Sequence, residues 1–144
     1  MEDFSRGGVA QVCVLLGRLI FAAVFAMALA FKVAGLQATA DYIAAAGFPL
    51  PFVLAVAAAL FEAALVFCFL SGAYFSEAAL AAAVYVLFLA ASFHGPGHWS
   101  ANQDEFGFFV DHFSFAAGLL FAAANGPGER LALRRFSVLH RSAA

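Results

Sequence analysis

The chain has 144 residues, the size of one domain, with 65% hydrophobic and only 11% charged, whereas a soluble domain runs at roughly 45–50% and about 25%. Too little polar surface is present to cover a water-soluble globule, so the composition is that of a membrane protein. A formal charge of −2 and seven Lys and Arg exclude a nucleic-acid binder, which needs a far larger basic patch.

A helix needs about 20 mostly apolar residues to cross a hydrocarbon core about 30 Å thick, and four stretches approach that length. The first runs from about Val9 to Phe31. Its Ala28-Leu29-Ala30 also offers a cleavage site for a signal peptide, but Glu2 and Asp3 beside Arg6, and Arg18 inside the apolar run, argue against that rival reading. A loop from Lys32 to Pro49 follows, closing on Gly47-Phe48-Pro49-Leu50-Pro51. The second span runs from about Leu50 to Leu70. The third, about Ala78 to Phe93, is short unless Tyr74 and Phe75 extend it. After a loop from His94 to Glu105, the fourth runs from about Phe106 to Ala124 and stops at Asn125-Gly126-Pro127-Gly128.

Such near-continuous apolar runs predict helices, because a lone strand in hydrocarbon leaves its amide groups unpaired and a barrel strand alternates in polarity. The predicted fold is all-α: an integral membrane four-helix bundle over residues 1–128, then a basic tail over residues 129–144. The 19 Phe and the many Ala suit aromatic knobs packed on small-residue helix surfaces. Arg6 before the first span and Arg130, Arg134, Arg135 and Arg141 after the last set both termini on the cytoplasmic side. The stretch from Glu129 to Phe136 reads as basic and amphipathic, suited to the inner leaflet. Cys13 and Cys68 lie far apart in apolar runs and read as packed thiols, not a redox pair.

Ionisable residues within spans mark candidate sites. Arg18 and Glu62 both lie about 12–14 Å deep by helix rise, which predicts an ion pair or a shared polar cavity. In the cavity reading Glu62 binds a proton or contacts a ligand. A second polar cluster is expected at the outer face, formed by Lys32, His94, His98, Asp104, Glu105, Asp111 and His112. Imidazole and carboxylate groups bind metals and relay protons. However, Gly95-Pro96-Gly97 breaks any helix between His94 and His98, so no metal site is assigned. A macrocycle with His112 or His94 as axial ligand is an alternative. Asp111 and His112 point about 100° apart on a helix, and Asp111 shares a face with Phe115 and Gly118. Trp99 suits the interfacial aromatic belt.

Taken in order, Leu16-Gly17-Arg18-Leu19 with Lys32, the segment Tyr42-Ile43-Ala44-Ala45-Ala46-Gly47-Phe48-Pro49-Leu50-Pro51, Glu62, and Gly126-Pro127-Gly128 resemble the DoxX family of small four-helix membrane proteins, over Leu15 to about Phe136. Where that family often has glycines shortly after its glutamate, this chain has Ala63, Ala64 and Leu65. The resemblance implies the four-helix fold and a place in a bacterial inner (cytoplasmic) membrane, among lipids and other membrane subunits. Family members include subunits associated with oxidoreductases such as thiosulfate:quinone oxidoreductase. The expected role is a non-catalytic accessory or assembly subunit of a larger, redox-linked membrane complex, as the sequence carries no nucleotide loop or nucleophilic triad. The alternatives are a quinone-linked oxidoreductase component, with the quinone in a Phe-lined cleft ending on Glu62 or His112, and a small proton-coupled transporter. No cofactor follows from the sequence.

Overall fold

The computed structural model of the protein describes residues 7–133 and 138–139. Six helices follow in chain order: α1 (Gly8–Ala34), α2 (Leu36–Ala45), α3 (Pro51–Ser71), α4 (Phe75–Phe93), α5 (Pro96–Trp99) and α6 (Asp104–Asn125), with no strand among the described residues. The long helices α1, α3, α4 and α6 are each long and apolar enough to cross a membrane. The protein is therefore an all-α, multi-pass membrane bundle. Arg6, Arg134, Arg135 and Arg141, on which its direction was argued, lie outside the described residues, as does Phe136.

The segment between Lys32 and Pro49 differs from the expected loop. Gly35 (φ −140°) separates α1 from the ten-residue helix α2, which is too short to span. Buried Ala40 and Ile43 of α2 pack against Ala55 of α3, with Leu36, Phe48 and Phe93 around them. The connection thus folds over one end of the bundle. Gly47, at φ 82°, lets the chain turn out of α2, and Pro51 occupies the first turn of α3, where its missing N–H has no intrahelical partner to lose.

At the other end, α3 and α4 are joined by Gly72, Ala73 and Tyr74 alone. Gly72 adopts φ 74° and its N–H closes α3 onto Cys68 O. A Cβ there would also meet Ala132 Cβ at 2.8 Å and Arg18 Nη1 at 3.1 Å. Helix α4 begins at Phe75 and reaches 19 residues, so Phe75 supplies the extension that the third span needed. It is also the most enclosed span, with 44% of its apolar window buried against 22% or less in the others. Ala79, Ala82, Ala83 and Ala90 are buried along it, and small side chains of this kind let a neighbouring backbone approach closely.

The closest helix contacts are α4 with α6 and α1 with α3, giving two antiparallel pairs. Phenylalanines join them. Phe21 and Phe25 of α1 each stand within 5.4–5.8 Å, ring centroid to centroid, of Phe69 on α3 and Phe115 on α6, spacings typical of favourable aromatic pairs. Large apolar side chains elsewhere face outward, among them Leu60, Phe67, Leu70 and Phe121. In a span these are lipid contacts.

The chain after α6 turns back onto the end of the bundle where α1 begins. Gln11 Oε1 accepts from Glu129 N–H at 2.8 Å, and Leu133 N–H donates to Ser71 O at 2.9 Å. Residues 129–133 are irregular in backbone, not helical.

Candidate functional site

Because Cα–Cβ bonds tilt toward a helix N-terminus, side chains on the antiparallel α1 and α3 lean in opposite directions. That geometry overturns the expected Arg18–Glu62 contact. Arg18 leans toward the start of α1, where its guanidinium donates to Pro127 O at 3.2 Å and Leu131 O at 2.7 Å. Glu62 leans the other way, and the cation that leans toward it is Lys32, about four helix turns further along α1 than Arg18. Lys32 Nζ lies 2.8 Å from Glu62 Oε1. Both Arg18 and Glu62 are almost wholly buried, at 1% exposure, so the sequence located two enclosed charges and paired them wrongly.

Tyr85 of α4 completes the Glu62 environment, its hydroxyl donating to Glu62 Oε1 at 3.0 Å. This residue was missed, because a tyrosine in an apolar span reads as packing. The available signal was that a buried phenol normally finds a hydrogen-bond partner, and Glu62 is the acidic residue of the preceding span. Glu62 Oε2 has no hydrogen-bond partner among the described residues.

Next to this cluster is a half-open chamber of about 290 Å³, lined by side chains from all four long helices. Lys32 comes from α1, Glu62 from α3, Tyr85 from α4, and Asp111 and His112 from α6. Lys32, Tyr85 and His112 also line a much larger groove of about 1290 Å³, open on one side. Its walls are otherwise mainly apolar, with Phe31 from α1, Val53 and Phe61 from α3, and Val84 and Phe88 from α4. Tyr42 of α2 also lines it, stacked on Phe93 at 5.0 Å. Burial pushes the Tyr42 phenol up from its ordinary value, and the Glu105 carboxylate adds to the rise.

The expected outer cluster divides. His94 and His112 both line the groove, with their rings 5.0 Å apart. His94 Nδ1 lies 2.6 Å from Glu105 Oε2, and Trp99 Nε1–H donates to His94 O at 2.8 Å. His112 Nδ1 lies 2.6 Å from Phe108 O. A carbonyl can only accept, so that nitrogen carries the proton and Nε2 is left as the exchangeable one. His98 and Asp104 are exposed, and each enters hydrogen bonds through its backbone alone. Helix α4 ends at Phe93 and α5 begins at Pro96, so the Gly-Pro-Gly break between His94 and His98 stands. Among the described residues, no group of three or more His, Cys, Asp or Glu is placed to hold a metal ion.

Four spans in two pairs, with an apolar groove ending on polar side chains, define a small integral membrane protein with a cleft between its helices. The chain belongs to the DoxX family: the DoxX family model matches residues 13–95, more than half of it. That match runs from within α1 to the end of α4, while α6 and Gly126-Pro127-Gly128 lie beyond it. No curated protein and no solved structure matches the chain.

Proposed function

We propose that this DoxX protein is an accessory membrane subunit of a larger redox complex and holds an isoprenoid quinone in the groove. The observation that carries the reading is the groove itself: about 1290 Å³ of mainly apolar wall leading to Lys32, Tyr85 and His112. Small-molecule pockets usually run to roughly 300–1,000 Å³, apolar with a few placed polar groups. A larger, one-sided cleft suits a ring with part of a prenyl tail. Lys32 has three N–H donors of which Glu62 takes one, the Tyr85 oxygen, its O–H held by Glu62, accepts, and His112 Nε2 either donates or accepts, which matches the carbonyl or hydroxyl oxygens of the two redox forms. Cys13 is exposed and Cys68 half-buried in a different helix, so electron exchange with the quinone falls to partner subunits. We place the protein in a bacterial inner membrane with both termini cytoplasmic, on Arg130 and the basic residues flanking the described chain.

Titration of the purified protein with a short-chain quinone tests the binding claim, with Trp99, whose indole is bonded to His94 O, as the fluorescent reporter. Saturable quenching and a rise in thermal stability are expected, both weakened by His112→Phe. Unchanged fluorescence together with an unchanged melting temperature contradicts the reading. Mild solubilisation followed by mass spectrometry tests the subunit claim through copurifying redox proteins.

A further inference from the structure

The chamber beside the groove contains an enclosed carboxylate used on one side only. Lys32 and Tyr85 both address Glu62 Oε1, whereas Oε2, in a side chain only 2% exposed, has no partner among the described residues. An ionised carboxylate offers about four acceptor positions, and one kept solely for structure in a bilayer is expected to have both oxygens satisfied. The unpartnered oxygen belongs to a residue lining a space of about 290 Å³, several times the roughly 30 Å³ that one water occupies in the liquid. Polar side chains reach that space from all four long helices, so waters there have the two or more partners that hold them.

We infer that Glu62 is a reversible proton-binding site in this chamber, serving the ligand of the groove and exchanging protons with the α2/α5 end of the bundle through His112 and the His94–Glu105 pair. In its service to a ligand the inference rests on the quinone reading; as a proton site it stands separately. The proton resides on Oε2, while Lys32 and Tyr85 stay on Oε1. Protonation takes Glu62 from charged to neutral, and Lys32 on α1 then faces Asp111 and His112 on α6 as the remaining charged or titratable groups, with the Tyr85 phenol on α4. His112 passes protons through Nε2, because Nδ1 is held by Phe108 O. Its ring stands 5.0 Å from that of His94, whose Nδ1 contacts Glu105. The Glu105 side chain is 23% exposed and supplies contact with bulk water. Histidines suit this task because they gain and lose protons near neutral pH.

The test is labelling of the intact protein in lipid vesicles with dicyclohexylcarbodiimide, an apolar reagent selective for protonated carboxyl groups in apolar surroundings. The carboxyl gives its proton to one carbodiimide nitrogen and its oxygen adds to the central carbon. The product then rearranges to a stable N-acylurea that retains every atom of the reagent. Peptide mass spectrometry is expected to find the adduct on Glu62, with labelling that strengthens several-fold as pH falls from about 9 to about 5, because only the protonated carboxyl reacts. In unlabelled protein, infrared spectroscopy is expected to show the Glu62 carboxyl exchanging with D2O at least several-fold more slowly in His112→Phe. Absence of a Glu62 adduct throughout that range, or an adduct on Asp111 in its place, overturns the proton site. Unaltered exchange in His112→Phe overturns the route. Protection of Glu62 by a short-chain quinone is expected; a Glu62 adduct that forms equally fast with quinone present leaves the proton site standing and overturns its link to a groove ligand.

Discussion

An enclosed charge in a bilayer is costly unless its partner lies within reach, and reach depends on where a side chain leans as much as on where its Cα lies. Lys32 and Glu62 lean toward one another along antiparallel helices and meet at 2.8 Å, while Arg18 leans away and finds the carbonyls of Pro127 and Leu131. Removing one partner of a buried pair costs about 3–5 kcal/mol, whereas replacing both with apolar residues of similar size is often neutral or stabilising. Lys32 is 20% exposed, so its loss belongs at the lower end. Unfolding in mixed detergent micelles is expected to show Lys32→Met destabilised by about 3 kcal/mol, with the Lys32→Met, Glu62→Met double variant restored to near the parent. A double variant as unstable as the single one contradicts a role confined to mutual charge compensation. The sequence identified Arg18 and Glu62 as the informative charges because ionisable groups inside apolar runs stand out. It did not give their partners, since equal depth along two axes says nothing about side-chain direction.

At the scale of elements, the four spans were legible because length and apolarity alone define them, and the structure starts α4 at Phe75, the residue on which its sufficient length depended. Helix α4 is also the most enclosed span, with alanines where a lipid-facing helix carries larger side chains. Helix α2 was not legible, since ten residues between spans read as loop, although Gly35 and Gly47 bracket it. The join between α3 and α4 depends on Gly72. Its positive φ and the close approach of Ala132 and Arg18 leave no room for a methyl group. Gly72→Ala is expected to destabilise the protein by about 1–3 kcal/mol. Gly107→Ala, in α6 with no atom within 4 Å of the added Cβ, is expected to be neutral or stabilising by up to about 1 kcal/mol. Thermal unfolding in one detergent compares the two, and equal losses contradict a special requirement at Gly72.

In the whole molecule, the aromatic cluster of Phe21, Phe25, Phe69, Phe75 and Phe115 binds the two helix pairs together, while toward the α2/α5 end the pairs leave the groove between them. The chamber at its head gathers one charged or polar group from α1, α3 and α4 and two from α6, an assembly that appears only when the bundle has formed. This is why the sequence could name Lys32, Glu62, Asp111 and His112 yet distribute them over two separate sites. The most direct test of the groove as a lipid-ligand site is photolabelling with an azido-quinone in native membranes, followed by peptide mapping. Crosslinks are expected on groove residues such as Phe31, Val53 and Phe88, diminished by excess unlabelled quinone. Crosslinks confined to outward-facing residues such as Leu60, Phe67 and Phe121, unaffected by excess quinone, would contradict it.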